Sequence, residues 1–228
     1  DRSSAASDVY KRQVGESATS LPLEIAFVDM SVEGADQLIE ALQAQQGQGR
    51  PLEIHTIGDD VDGLSRITQV LSERKEVAAV HLFSHGDASG LQLGASRLDA
   101  QSLETRLAEI ATWASALTEG ADLMLYGCNL ASSSPGLHLI NDLALLTGTD
   151  VAASDDLSGA ATLGGDWVLE YRTGLVSTQE AMSVDVLGDW EHVLATATYQ
   201  DGVNGYTGTT DTYLALLNPS TNYGNSAT

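Results

Sequence analysis

The sequence predicts an α/β fold, a three-layer sandwich with a mostly parallel central sheet, followed by the truncated start of an all-β segment. Between residues 21 and 157, short apolar runs alternate with segments of helical spacing, which is typical of parallel strands joined by right-handed crossovers. These runs are apolar almost throughout, as expected when helices cover both faces of a sheet. After residue 195 the chain is rich in Gly, Thr, Asn and Tyr and lacks helical periodicity, which favours short strands and loops.

Five apolar runs predict the strands of the sheet. They lie at residues 23–30, 52–58, 77–86, 122–127 and 150–154. A stretch around Gly164 and Gly165 predicts a hairpin after the last of them, and Asp-Trp-Glu-His-Val-Leu predicts the close of the domain near residue 194. The predicted organisation is therefore a leader at 1–20 without structural weight, a domain at 21–194 and the β segment at 195–228.

Apolar residues at helical spacing predict the helices between these strands. The segments 34–46 and 62–73 each carry one apolar face, and Leu, Ile and Ala residues from 103 to 117 predict one long helix. A further helix begins in Ser-Ser-Ser-Pro, where Ser caps the end and Pro fits the first turn, and it stops at Gly148. Asp-Asp-Val-Asp-Gly at 59–63 lacks the distal Glu of a calcium loop and predicts a helix cap instead.

Charge and composition exclude several classes of function. A formal net charge of −22 argues against binding to nucleic acid or anionic membranes, which require Lys and Arg. No apolar run reaches the length of a membrane span, so no membrane insertion is expected. The single cysteine excludes an internal disulfide framework. No histidine has metal-ligand spacing with that cysteine, and we expect neither a metal nor a cofactor.

Two residues with catalytic chemistry follow neighbouring strands. His85 comes after the third strand and Cys128 after the fourth, and the carboxyl ends of parallel strands share one edge of the sheet. A thiol can attack a carbonyl carbon while an imidazole moves the proton. The amides of Gly86 and Cys128 are candidates to stabilise the oxyanion. The alternative is that Cys128 is an inert core residue, which a lone cysteine most often is. His81, inside the third strand, is interpreted as a packed histidine.

The chain resembles the domain of unknown function 4347 family over roughly residues 21 to 194. The similarity lies in IAFVDMSV, VHLFSHGDASGLQLG, DLMLYGCNLA, DVAASDDLSGAATLGGDWVLE and DWEHVL. An apolar strand ending in Ser-His-Gly, followed by one ending in Gly-Cys, also resembles the caspase-like, clan CD cysteine peptidases. The chain has Tyr-Gly-Cys-Asn where caspases have Gln-Ala-Cys-x-Gly, so caspase specificity for Asp is not implied.

The resemblance implies a function and a setting. It implies a caspase-like cysteine peptidase domain, with Cys128 as nucleophile and His85 as base and acid, in a large exported bacterial surface protein. The expected substrate is a polypeptide, with the parent chain as a candidate, and the expected location is extracellular or at the cell surface. In such folds the segment with Asp155 and Asp156 lines the pocket for the residue before the scissile bond, which predicts cleavage after Lys or Arg. Ser84 is a candidate to orient the catalytic loop.

Two further interpretations stay open. The domain could be a non-catalytic N-terminal module of an adhesin, acting in assembly, export or attachment. The β segment from residue 195 resembles the start of a carbohydrate-binding β-sandwich module through Thr-Asp-Thr-Tyr-Leu and Asn-Pro-Ser-Thr-Asn-Tyr-Gly-Asn-Ser. A completed module of this type would bind carbohydrate.

Overall fold

A computed structural model describes residues 21–183, 185–187 and 190–195 of the 228-residue chain. The predicted leader at 1–20 and the β segment at 196–228, with its carbohydrate-binding resemblance, lie outside the described residues. In the described part, no helix is both long enough and apolar enough to cross a bilayer.

A six-stranded, mostly parallel sheet forms the centre of the fold. Its strands are β1 (Leu23–Asp29), β2 (Leu52–Ile57), β3 (Val77–Phe83), β7 (Leu117–Tyr126), β8 (Asp150–Ala153) and β9 (Tyr171–Arg172). Their order is β2-β1-β3-β7-β8-β9; all neighbours are parallel except β9, which runs antiparallel to β8. A smaller antiparallel sheet contains β4 (Gly86–Asp87), β5 (Gly90–Leu93) and β6 (Ser96–Asp99). The predicted α/β architecture is confirmed.

Five α-helices flank the central sheet in the described residues. They are α1 (Ala35–Gly47), α2 (Gly63–Ser72), α3 (Ala100–Thr105), α4 (Leu107–Ala111) and α5 (Ser134–Thr147). Asp62 caps α2 by accepting a hydrogen bond from the Ser65 amide at 3.2 Å, so the predicted cap at 59–63 is confirmed. Ser133 caps α5, and Gly148 ends it in the left-handed conformation, as predicted.

Both faces of the sheet are buried, which explains the uninterrupted apolar strands. In β1, Ile25 and Phe27 pack in one cluster with residues of α2 and α5. Ala26 and Val28, on the opposite face, pack in a second cluster with α1 and with Trp190 near the end of the described chain. Side chains alternate between the faces of a strand, and each face here contacts apolar partners. A strand in this position therefore gains stability from every side chain, not from every second one.

The predicted long helix at 103–117 is wrong. The chain forms α3 and α4, separated at Arg106, then a 3₁₀ helix at Thr112–Ser115, and Leu117 already belongs to β7. Leu107 is 53% exposed, so the apolar residues of this stretch do not share one helical face. The guanidinium of Arg106 binds the Asp62 carboxylate at 2.8 Å. This ion pair attaches the break between α3 and α4 to the start of α2.

The predicted hairpin around Gly164 and Gly165 is also wrong. Ala161–Leu163 form a 3₁₀ turn, and the Gly165 amide donates back to the Ala160 carbonyl at 3.0 Å. The loop closes on itself in this way, so no cross-strand ladder forms between its two arms. The later strand of this stretch, β9, pairs with β8 instead.

Candidate functional site

The site lies where β3 and β7 end side by side. Phe83 pairs with Tyr126 at the last position of the two strands, and the Ser84 amide donates to the Tyr126 carbonyl at 3.1 Å. The loops that follow β3 and β7 also stay in contact. A Cβ added to Gly86 would lie 2.8 Å from the carbonyl carbon of Gly127, so only glycine allows this approach. The structure thus brings together the two loops that carry His85 and Cys128.

The imidazole of His85 is held in one tautomer by a backbone carbonyl. Its Nε2 lies 3.1 Å from the carbonyl oxygen of Ser31. A carbonyl oxygen only accepts, so Nε2 carries the hydrogen and Nδ1 of the neutral ring keeps a free lone pair. Nδ1 is buried and has no hydrogen-bond partner. The ring therefore presents one nitrogen that is able to accept a proton.

A buried carboxylate holds the loops on both sides of His85. Asp29, at the end of β1, accepts hydrogen bonds from the Ser31 amide at 2.9 Å and the Ser31 hydroxyl at 2.7 Å. It also accepts from the Ser84 hydroxyl at 3.1 Å and the Gly94 amide at 2.7 Å. Asp29 was not identified from the sequence as a site residue, because its contacts to Ser84 and Gly94 join loops that are distant in the chain. It fixes the carbonyl that orients His85.

The amides of Gly86 and Cys128 converge on one carbonyl oxygen. The Gly86 amide donates to the carbonyl of Leu194 at 2.9 Å, and the Cys128 amide donates to the same oxygen at 3.4 Å. Two backbone N–H groups aimed at a single oxygen form the geometry that stabilises an oxyanion. The two residues selected from the sequence for this task thus share one acceptor in the structure.

Cys128 is buried beside the chain that supplies this carbonyl. Its side chain is 0% exposed, and its Sγ lies 3.6 Å from the carbonyl oxygen of Ser158. Burial raises the pKa of the Cys128 thiol to about 12, and the negative charge of Asp156 adds to the effect. Among the described residues, no hydrogen bond joins the thiol to His85. In this state the cysteine is a neutral thiol.

Residues 192–195 run through the site as an extended segment. The Leu194 amide donates to the Ser158 carbonyl at 2.9 Å, and the His192 carbonyl accepts from the Ala160 amide at 2.9 Å. Val193 forms an antiparallel bridge with Gly159, and Ala195 forms a parallel bridge with Gly86. From the sequence, this segment was expected only to close the domain. Its role in the site depends on bridges to Gly159, 34 residues away, and to Gly86, 109 residues away, for which the local pattern carries no signal.

A model of the family described as Domain of unknown function (DUF4347) matches residues 25–194 of this chain. The chain belongs to the DUF4347 family. A search of curated proteins gave no match. The matched part of this DUF4347 domain contains both candidate catalytic residues, and it ends at Leu194, whose carbonyl lies between the two amides.

The acidic pair predicted to line a substrate pocket lies on the exposed surface of the DUF4347 domain. Asp155 and Asp156 follow β8. A carboxylate oxygen of each lies within 4.8 Å of a carboxylate oxygen of Glu170. Partial burial, together with the charge of neighbouring carboxylates, raises the pKa of Asp156 and of Glu170. Glu170 was missed from the sequence because it lies 14 residues further along the chain. The exposed trio is the one group of described residues with the spacing of metal ligands.

Proposed function

We propose that this DUF4347 domain is a caspase-like cysteine peptidase. Cys128 is the nucleophile, His85 is the general base and acid, and the amides of Gly86 and Cys128 form the oxyanion hole. The observation that supports this proposal most strongly is the convergence of the two amides on one carbonyl oxygen, at 2.9 Å and 3.4 Å. The Nδ1 of His85, which has no hydrogen-bond partner, supplies the proton acceptor that such a site needs.

The proposed mechanism gives each of these groups one task. The thiol of Cys128 transfers its proton to Nδ1 of His85 as the sulfur attacks the substrate carbonyl carbon. The two amides stabilise the resulting oxyanion, and they act most strongly in a site from which water is excluded. The imidazolium then protonates the leaving amine, and water hydrolyses the thioester with His85 again accepting a proton. A thiol with a pKa near 12 requires this assisted transfer, because the free thiolate is scarce at neutral pH.

The proposed setting is that of a large exported bacterial surface protein, with a polypeptide as substrate. The acidic composition is compatible with this setting, since a net charge of −22 favours solubility. Asp155 and Asp156 are exposed and would attract a basic side chain of such a substrate by charge pairing.

The alternative is a non-catalytic module that acts in assembly, export or attachment. One observation favours it: the Cys128 thiol is buried, and its pKa is raised rather than lowered. Reactive cysteines are usually partly exposed and have a lowered pKa. In this alternative, the converging amides only fix the last segment of the domain to the sheet.

Labelling with a peptidyl acyloxymethyl ketone separates the two functions. We expect the full chain to form a covalent adduct on Cys128, detected by intact-protein and peptide mass spectrometry. The adduct should be lost in Cys128→Ala and should form at least about 100 times more slowly in His85→Ala. The matched control is His138→Ala, which changes an exposed histidine on α5. Labelling of Cys128 at the same rate in His85→Ala would support the non-catalytic module.

A further inference from the structure

We propose that the domain cleaves its own chain between Leu194 and Ala195. The inference rests on the proposed peptidase function and names the substrate of that site. Residues 192–195 lie across the site in an extended conformation, and the carbonyl that would be attacked belongs to Leu194. The structure therefore shows the chain in the position of a bound peptide substrate.

The segment pairs through its backbone with the loop that follows β8. Residues 192–194 pair antiparallel with residues 158–160 through two hydrogen bonds of 2.9 Å each, one at His192 and one at Leu194. Addition of an extended peptide as a strand beside an existing backbone edge is a general mode of peptide binding. Gly159 makes room for it: a Cβ at this residue would lie 2.5 Å from the His192 carbonyl oxygen. The loop after β8 is thus shaped to the segment.

The Leu194 carbonyl lies at the proposed oxyanion hole. This oxygen accepts hydrogen bonds from two amides that come from different loops. These donors are the amides of Gly86 and Cys128, the pair that the proposed mechanism requires. The next residue, Ala195, forms a bridge with Gly86. The bond after Leu194 therefore lies next to Gly86, the residue that follows His85.

The side chain before the proposed scissile bond is apolar and buried. Leu194 is 0% exposed and packs in the apolar cluster that includes Cys128 and Trp190. Val193 is 2% exposed in the same cluster. A Lys or Arg in the place of Leu194 would bury a charge among apolar side chains, at a large cost in free energy. The segment therefore favours an apolar residue before the cut, and not the basic residue expected from Asp155 and Asp156.

The reaction is balanced with water as the only co-reactant. The Sγ of Cys128 bonds to the carbonyl carbon of Leu194 while its proton moves to Nδ1 of His85. The C–N bond to Ala195 breaks, and the imidazolium gives its proton to the new amine of Ala195. Water then attacks the thioester, which restores the thiol and leaves the Leu194 carboxylate. The cut would separate the residues of the family match, which ends at Leu194, from Ala195 and the residues after it.

The test follows the intact chain and a synthetic peptide in parallel. The chain is incubated and analysed by intact mass and by N-terminal sequencing, which is expected to reveal a new terminus at Ala195. Cys128→Ala and His85→Gln should slow this cut by at least about 100-fold, while His138→Ala, which changes an exposed histidine on α5, should be cut at a rate close to that of the unchanged chain. The peptide Trp-Glu-His-Val-Leu-Ala-Thr-Ala-Thr-Tyr should be cut after Leu, and its Leu-to-Arg counterpart at least about tenfold more slowly.

The outcomes separate the two proposals. If the chain stays intact while the ketone labels Cys128 in a His85-dependent manner, the self-substrate is wrong and the peptidase stands. A cut at any other bond, or a faster cut of the Arg peptide, also overturns the inference. If neither the label nor the cut depends on His85, both proposals fail. Circular dichroism melting of each variant shows whether a lost cut reflects lost folding, and the peptide series needs no variant at all.

Discussion

Two histidines, one within β3 and one just after it, have almost the same hydrogen bonding but different surroundings. The Nε2 of His81, within β3, lies 2.8 Å from a carboxylate oxygen of Glu24, and the Nε2 of His85 lies 3.1 Å from the Ser31 carbonyl. In both rings Nδ1 is buried without a hydrogen-bond partner. A free ring nitrogen therefore does not by itself identify a catalytic histidine.

The neighbours of the two rings make the difference. His81 is 0% exposed, its carboxylate partner Glu24 is also bound by Arg50 at 2.6 Å, and its ring stacks on Phe83 and Tyr126. Burial holds the pKa of His81 below its usual value, so the ring is neutral and structural, as predicted from its place inside the strand.

His85 instead lies beside backbone amides that share one acceptor. The amides of Gly86 and Cys128 both meet the Leu194 carbonyl, and the thiol is on the same loop. The assignment of the candidate site to His85 therefore rests on this convergence of two amides and not on the histidine alone.

The largest expected effect is the contrast between His85→Gln and His81→Gln. We expect His85→Gln to slow adduct formation on Cys128 by at least about 100-fold with little change in melting temperature. His81→Gln should keep the adduct rate and lower the melting temperature, because it breaks the packing of a fully buried ring. The checks are adduct mass spectrometry and calorimetry on the same samples. A loss of labelling in both variants would remove the distinction between the two histidines.

Gly86→Ala tests the close approach of the two loops. The added Cβ would lie 2.8 Å from the Gly127 carbonyl carbon and 3.0 Å from the Cys128 nitrogen. We expect the free energy of unfolding to fall by about 3 kcal/mol, since rigid backbone atoms must move, and labelling of Cys128 to be lost. Urea denaturation measures the first effect. Gly47→Ala, in open space at the end of α1, is the matched control and should change neither quantity.

Asp122→Asn tests the opposite edge of the sheet, where a buried carboxylate fixes the chain after β9. One oxygen of Asp122 accepts four hydrogen bonds, two each from Ser177 and Thr178, at 2.7 to 3.2 Å. A neutral amide oxygen is a weaker acceptor, so we expect a loss of about 2 kcal/mol in unfolding free energy. Labelling of Cys128 should persist. The exposed Asp142→Asn serves as control, and equal stability of the two variants would contradict the assigned role.

Glu24→Gln is expected to have the smallest effect, and the effect depends on pH. Burial opposes ionisation of Glu24, but hydrogen bonds from His81 and Arg50 outweigh it, so the pKa of the carboxyl lies below 4.5. The resulting stabilisation is present above pH 4.5 and is lost as the pH falls through the folded-state pKa. We expect Glu24→Gln to cost about 1 kcal/mol at pH 7 and to show a shallower loss of stability in acid.

The pH series is measured by thermal melting between pH 7 and pH 3. Glu40→Gln, on the exposed face of α1, is the control and should follow the unchanged chain. If Glu24→Gln lost stability as steeply in acid as the unchanged chain, then the pair with His81 would not account for the acid sensitivity.

Much of the fold could be predicted, and the failures have a common origin. The strand signals held because the inner strands β1, β3 and β8 are buried on both faces over most of their length, so that composition alone marks them. The helix at 103–117 failed because periodicity cannot show that Arg106 leaves the helical path to bind Asp62, 44 residues away. The hairpin at 164–165 failed because β9 pairs with β8 and not with its nearest neighbour in the chain.

The candidate site divides in the same way. His85, Gly86 and Cys128 could be selected from the sequence because each directly follows an apolar run, and the ends of parallel strands meet at one edge. Asp29 and Ser158 could not be selected, since their roles consist of hydrogen bonds to loops that are distant in the chain. The specificity of the site was the least predictable part, because Asp155 and Asp156 are visible as charges while the burial of Leu194 is not.

By itself, the sequence determined the α/β class, the parallel strands and the pair of residues with peptidase chemistry, because these depend on local composition and on the order of elements. Only the tertiary structure decided that the chain returns at residues 192–195 and places the Leu194 carbonyl between two amides. The physical reason is that backbone hydrogen bonds do not depend on side-chain identity. No residue type in Glu-His-Val-Leu-Ala marks where those donors and acceptors will pair.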